Sequence, residues 1–343
     1  MKSKEVESRS WEDVEVGEAI PELAFPITNK TMVLAACGTR DFAPYHHDSA
    51  YSKSVGNPDM FVNTMFQQAL YSRFATDWSG PESDIRESAL RMTGVLCPGE
   101  PARLTGEVTE RVELDGDYRV TLELAASNAN GVASTNSITL AMPSTKRGSV
   151  EPVTSLAKPH IDPHPEMPDF AREWLGEESP PNWCGHPISE VQISYWCDMV
   201  RDANPLYYDG DFARKNRHGG VIAPPVGLLT WAMPRAHHQG LDVHNPDDEP
   251  WPPREATQEP LLRQPPGTSE AMVQGSHQSY GRPLRPGDRV YSRQEVVNCS
   301  PLKETRVGPG YFQTLLDTYY NQNDEIVGTD VLNMLWYGGD GSN

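Results

Sequence analysis

Residues 62–77 form a long apolar run at helical spacing with no Pro or Gly inside it, which predicts a buried helix. Behind it the pattern changes to alternation. Residues 87–95, 102–112, 118–128 and 133–142 read as strands, separated by Pro-Gly, Asp-Gly and Asn-Gly turn signals. Ahead of it, residues 34–40 read as a short helix. The order then returns: a short helix over 193–201, and strands over 272–280, 289–298, 311–321 and 326–337. Residues 143–187 between them are rich in Pro, Ser and Glu, lack a clear period and read as a linker.

The two halves also share residues. Asp41-Phe-Ala-Pro-Tyr-His-His-Asp48 aligns with Asp202-Ala-Asn-Pro-Leu-Tyr-Tyr-Asp209, keeping the first Asp, the Pro and the closing Asp. An aromatic, Tyr51 or Phe212, follows at the same distance in each. Cys97-Pro-Gly-Glu100 pairs with Arg285-Pro-Gly-Asp288, and the polar turn at Asn128 pairs with the one at Asn321. Four matches in one order mark two copies of one fold, over 11–142 and 188–337. A long helix wrapped by an antiparallel meander is the hotdog arrangement, so the chain is expected to be an α+β double hotdog. The two sheets are expected back to back as an intramolecular pseudo-dimer, and a homodimer of such chains is expected beyond it. The second copy carries an insertion, mostly over 237–267, dense in Pro, Asp and Glu.

Composition narrows the function. A net charge of −19 argues against nucleic acid as partner, because the phosphate backbone would be repelled. No stretch approaches the roughly 18 apolar residues of a membrane span, and the start has no apolar segment after its lysines, so neither a membrane partner nor a secretory signal is expected. Five scattered cysteines, never paired as CxxC, read as free thiols of a reducing cytoplasm.

The segment Asp41-x-Ala43-Pro44-x-His46 resembles the Asp-x-Asn-Pro-x-His signature of the MaoC-like, (R)-specific enoyl-CoA hydratase family. With Met60-Phe-Val-Asn63 and Thr76-Asp-Trp-Ser-Gly-Pro81, the first half resembles the small subunit of bacterial steroid side-chain enoyl-CoA hydratases. Asp202-Ala-Asn-Pro-Leu-Tyr-Tyr-Asp209 with Gly219-Gly-Val-Ile-Ala-Pro-Pro225 resembles the dehydratase-like domain of the partner subunit. The resemblance covers most of 11–142 and 188–337. It implies that Asp41 and His46 orient and deprotonate a water, and that the Thr64 backbone N–H, at the family's oxyanion-hole position, faces the thioester oxygen. Such chemistry needs a base, an acid and a donor to the developing oxyanion. The substrate implied is an acyl-CoA thioester, and no separate cofactor is called for.

Two departures stand out. The signature's Asn is Ala43, which removes the amide that helps to position the water. The second copy keeps Asp202 and Asn204 but has Tyr207 for His and Pro225 for the oxyanion donor, so it is read as non-catalytic, with Asp202 structural. Pro224-Pro225 and Pro234 confine its central helix to about 226–233, leaving room that suggests a bulky, steroid-like acyl group. Arg201, Arg214, Lys215 and Arg217 form a candidate basic patch for CoA phosphates or a solvated helix face. Arg40 and Arg201 are further candidates for the phosphates or for their neighbouring Asp. Asn63 reads as a helix cap that could also touch substrate, and His47 as structural. His160, His164, His237 and His238 lack a third ligand at suitable spacing, so no metal is expected. The alternatives are a β-hydroxyacyl-thioester dehydratase and a non-catalytic acyl-CoA-binding protein.

Overall fold

The computed structural model describes residues 7–114, 116–234 and 263–338. In the first copy, strand β1 (Ala19–Pro26) leads into helices α1 (Asn29–Thr39), α2 (Ser49–Ser54) and α3 (Thr64–Ser79). Strands β2 (Asp84–Met92), β3 (Pro101–Leu114), β4 (Asp117–Asn128) and β5 (Gly131–Ala141) follow. Next come the short helix α4 (Asp169–Arg172) and strand β6 (Asn182–Trp183). The second copy continues with α5 (Glu190–Val200), α6 (Gly210–Lys215), α7 (Leu228–Ala232), β7 (Glu270–Tyr280), β8 (Tyr291–Cys299), β9 (Lys303–Thr305), β10 (Gly308–Tyr320) and β11 (Ile326–Tyr337).

All eleven strands belong to one antiparallel sheet in the order β1-β3-β4-β5-β2-β7-β11-β10-β8-β6, with β9 on β10. The expectation of sheets packed back to back is corrected here: the copies meet edge to edge, through β2 and β7. Each edge strand offers unpaired N–H and C=O groups, and pairing the two edges satisfies both. Ala89 and His277 lie directly opposite one another across this seam. Each is seven residues before its Leu-x-Pro-Gly turn, at Leu96 and Leu284. Equivalent residues thus face each other, and the pseudo-twofold axis of the double hotdog passes between them.

The central helix α3 is buried on nearly every side, with Phe66, Leu70, Phe74 and Ala75 in the main core. Tyr71 ties it to the sheet by donating to the Ser134 carbonyl at 2.8 Å. Asn63 caps its start, accepting from the Phe66 N–H at 2.8 Å. In the second copy the Pro residues have the expected effect: a 3-10 turn over Pro225–Gly227 and the five residues of α7 stand where α3 has sixteen. Part of the released space is filled by Trp231, which packs at a tilt against Trp196 with centroids 5.4 Å apart and donates to the Pro224 carbonyl at 2.9 Å.

The two copies touch through helices as well. α1 packs on α5, and Gly38 is what allows it: a Cβ there would lie 2.8 Å from both Met199 Sδ and the Tyr195 carbonyl oxygen. The 143–187 stretch, read from composition as a linker, is packed against the second copy. Met167 and Ala171 join a cluster with Val296, Leu315, Met334 and Trp336, and Lys158 reaches Glu295 at 2.9 Å. Among the described residues no helix is long and apolar enough to cross a membrane.

Candidate active site

Each copy builds its Asp motif in the same way. α1 and α5 end on an arginine in the left-handed conformation, Arg40 at φ 60° and Arg201 at φ 57°, which turns the chain sharply into the Asp. The Asp then closes a turn, Asp41 accepting from the Ala43 N–H at 3.1 Å and Asp202 from the Asn204 N–H at 2.9 Å. A 3-10 turn follows, Pro44–His46 or Pro205–Tyr207. The closing Asp48 and Asp209 cap α2 and α6, each accepting from two backbone N–H groups. The shared residues therefore build the scaffold, and what sets the first copy apart is what surrounds its shared Asp.

In the first copy Asp41 Oδ2 lies 3.4 Å from His46 Nε2, with both side chains partly buried. His46 Nδ1 is 2.8 Å from the Phe61 carbonyl oxygen. A carbonyl only accepts, so Nδ1 carries a proton, and the neutral tautomer this selects has its lone pair at Nε2. Asn63 donates through Nδ2 to Asp41 Oδ2 at 3.1 Å and to Thr39 Oγ1 at 2.8 Å. Thr39 Oγ1 also accepts from the Asp41 N–H at 3.2 Å and donates to the Ala35 carbonyl at 2.7 Å. One hydroxyl thus joins the end of α1, the Asp41 backbone and the cap of α3. Thr64 is the first residue of α3, where backbone N–H groups have no partner within the helix and the helix dipole favours negative charge.

The second copy keeps the Asp, as Asp202, and lacks the groups around it. Val200 stands for Thr39, Tyr207 for His46, Pro224 for Asn63 and Pro225 for Thr64. Tyr207 is buried, and burial raises its hydroxyl well above the usual range. Asp202 is also buried, and the loss of water raises its carboxyl to about 6. Asn204 caps the 3-10 turn, accepting from the Leu206 N–H at 3.1 Å. Its counterpart Ala43 therefore costs the first copy a turn cap, and the amide beside Asp41 is supplied by Asn63.

Several expected binding residues are placed otherwise. Asn63 is 3 % exposed and commits both ends of its amide to protein, so it positions Asp41 and does not touch substrate. Arg40 donates to the carbonyls of Met233 at 3.2 Å and Pro234 at 2.8 Å, pinning the end of the second copy's shortened helix segment. Arg201 lies over the Phe25 ring at 5.4 Å. Arg214 pairs with Asp211, and Lys215 is exposed. The basic patch does not assemble, because Arg217 turns inward, its side chain 4 % exposed, to pair with Glu82 and Asp84. His47 is structural, its Nε2 lying 2.9 Å from the Phe42 carbonyl. His160 faces Asp162, and His164 Nδ1 accepts from the Glu166 N–H; His237, His238 and nearly all of the 237–267 insertion lie outside the described residues. Among the described residues no three potential metal ligands cluster.

Thr39 and the Phe61 carbonyl were missed by sequence reasoning. The signal for Thr39 was present in the repeat, where Thr39 against Val200 changes together with the other site positions.

Comparison with known proteins fits this picture. Residues 174–330 match the family described as FAS1-like, dehydratase domain region. A Thermomonospora curvata protein named "Probable enoyl-CoA hydratase alpha subunit" is 31% identical over 157 residues, 46% of this chain and 47% of that protein. The 3-oxo-4,17-pregnadiene-20-carboxyl-CoA hydratase beta subunit of Mycobacterium tuberculosis is 32% identical over 127 residues, 37% of this chain and 95% of that subunit. The chain thus spans about half the length of the alpha-subunit relative and nearly all of the beta subunit. Among solved structures, a MaoC domain protein dehydratase from Chloroflexus aurantiacus superposes with a TM-score of 0.65 at 13% identity, over 98% of this chain and all of its own, a likeness of fold. With matches to both kinds of subunit on one double-hotdog chain, the chain belongs to the MaoC-like enoyl-CoA hydratase family.

Proposed function

We propose that this chain adds water across the double bond of a 2-enoyl-CoA thioester at Asp41 and His46. The observation that carries the reading is the convergence of two acceptors. Asp41 Oδ2 and His46 Nε2 lie 3.4 Å apart with Nδ1 committed to the Phe61 carbonyl. A water donating one O–H to each would turn its oxygen lone pair outward, toward a substrate β-carbon. The pair takes one proton from the water and a proton is returned to the α-carbon, and such general acid–base transfer contributes about 10²–10⁴-fold. The Thr64 N–H, next in the chain to the Asn63 that holds Asp41, serves the thioester oxygen as its charge develops. The reverse reaction, dehydration of a β-hydroxyacyl thioester, uses the same groups.

For the acyl group we favour a bulky, steroid-like side chain. Support comes from the reduction of the second central helix to α7 and from the substrate named for the mycobacterial beta subunit. The test is purified protein incubated with crotonyl-CoA, a long-chain enoyl-CoA and a steroid side-chain enoyl-CoA, followed by loss of enoyl absorbance. Asp41→Asn and His46→Ala are each expected to lose about 10²–10⁴-fold in kcat. Full rate in either variant would remove the pair from the mechanism, and turnover of crotonyl-CoA far above the steroid thioester would refute the bulky substrate. No turnover of any thioester would leave the acyl-CoA-binding reading.

A further inference from the structure

The second copy holds a cavity of about 380 Å³ that shares none of its lining residues with the Asp41–His46 site. It lies beside the Leu-x-Pro-Gly turn of the second copy, and the segments next to it pair as their first-copy counterparts do. The Ile222 N–H donates to Leu206 O as the Phe61 N–H donates to Tyr45 O. The Ala223 N–H donates to Leu284 O as the Val62 N–H donates to Leu96 O. A narrower crevice leads inward from it past Ile222, Ala223, Pro225 and Leu228.

Four basic residues line it in a chain whose net charge is −19: Arg217, His218, Arg282 and Arg285, with Asp288 as the one carboxylate of the lining. Arg217 and His218 are already engaged by Asp84, which leaves Arg282 and Arg285 to meet a ligand. All four basic positions are neutral in the first copy, where Gly56 stands for Arg217, Asn57 for His218, Gly94 for Arg282 and Cys97 for Arg285. Arg285 is held in place, donating to the His218 carbonyl and lying against Gly220, where a Cβ would come within 3.1 Å of Nη1. Among the described residues no carboxylate forms an ion pair with its guanidinium, while Asp288 Oδ2 accepts from its backbone N–H at 2.8 Å. Arg282 meets Glu325 at 3.1 Å, but both are about half exposed, and such a pair is worth little and is easily exchanged for a ligand anion. His218 is buried, its side chain 1 % exposed. Nε2 lies 3.1 Å from Asp84 Oδ1, and Nδ1 has no hydrogen-bond partner.

From this geometry we propose that the cavity is a second, non-catalytic site for a phosphorylated adenosine nucleotide, anchored by Arg282 and Arg285. Guanidinium forks suit phosphate oxygens. The volume falls in the range of small-molecule pockets, about 300–1,000 Å³, and far exceeds what a lone phosphate fills. Pro152, Val153 and Pro283 give apolar walls for a base. The nucleotide is supplied either free or as the end of CoA. The site takes no part in turnover and is independent of the reading of Asp41 and His46.

The test is calorimetric titration of the full chain with adenosine 3′,5′-bisphosphate, CoA and inorganic phosphate. Wild type is compared with the double variant Arg282→Gln/Arg285→Gln and with Arg285→Lys, whose thermal unfolding reports whether each is folded. Loss of two charge-assisted contacts is expected to weaken bisphosphate binding about 10²–10⁴-fold in the double variant, with Arg285→Lys between. CoA stoichiometry is expected to fall from two per chain to one, or from one to none if the Asp41 site does not take CoA. Hydration of enoyl-CoA is expected to stay unchanged. Equal binding in the double variant, no bisphosphate binding to wild type, or inorganic phosphate binding as tightly as the bisphosphate would each overturn the proposal.

Discussion

Asn63 joins the two halves of the first copy's site: its carbonyl caps α3 at Phe66 while its amide holds Asp41 Oδ2 at 3.1 Å. The start of α3, where the Thr64 N–H lies, and the carboxylate cannot shift relative to each other without breaking one of these bonds. Replacing Asn63 by Asp keeps an acceptor for the Phe66 N–H but sets a second carboxylate beside Asp41. Like charges at that range cannot both ionise freely, so one carboxyl of the pair titrates higher. Asn63→Asp is expected to lower the melting temperature, since two donated hydrogen bonds are lost and a buried carboxylate is added, and to move the acid limb of the kcat/KM profile to higher pH. An unshifted limb would mean that Asp41 does not feel position 63.

Arg40 separates a structural from a binding role. Its bonds to the Met233 and Pro234 carbonyls predict that Arg40→Met loses about 1–3 kcal/mol of stability in denaturant unfolding. KM for an enoyl-CoA is expected to hold. A tenfold rise in KM with stability intact would instead put the guanidinium on the CoA phosphates.

Asp202 should make stability fall with pH. Burial lifts its carboxyl from 3.8 to about 6. As pH rises between these values the unfolded chain gives up a proton that the folded chain keeps, so unfolding becomes easier, by about 3 kcal/mol once pH exceeds the folded value. Asp202→Asn retains an acceptor for the Asn204 N–H and removes the charge. The variant is expected to gain about 2–3 kcal/mol over wild type at pH 7.5 and almost nothing at pH 4, as read from urea unfolding at the two values. A gain of equal size at both would refute the burial argument.

At Gly38 two effects oppose each other. Gly to Ala inside a helix ordinarily adds about 1 kcal/mol. Here the new methyl would meet Met199 Sδ and, less yielding, the Tyr195 carbonyl oxygen at 2.8 Å. Overpacking costs about 1–3 kcal/mol, so Gly38→Ala is expected to lower the melting temperature. A rise would show that α1 and α5 can part at no cost.

The motifs and the long helix were legible because each leaves a local mark: a turn residue, a cap, an unbroken apolar run. The strands of both meanders lie within a few residues of their alternating runs. β1 escaped notice because Pro21, Glu22 and Pro26 interrupt its alternation, and β6 because two residues carry no pattern. The seam was illegible for a different reason. Backbone edges pair β2 with β7, and side-chain pattern does not record which edge meets which. The pair Asp41 and His46 stood out through the signature it resembles, whereas the Thr39 hydroxyl that braces it looks like any helix-end threonine until Asn63 is brought beside it, 24 residues away in the chain.

The joined sheet has a consequence for how such a protein survives dilution. Two separate hotdog subunits meeting through β2 and β7 edges would part as their concentration fell, exposing both edges and releasing the Arg40 clasp. Covalent linkage holds the second copy at an effective concentration on the order of millimolar whatever the number of molecules in the cell. The site beside Asp41 then stays assembled in a scarcely expressed protein, and β2 and β7 are rarely left open to pair with strangers.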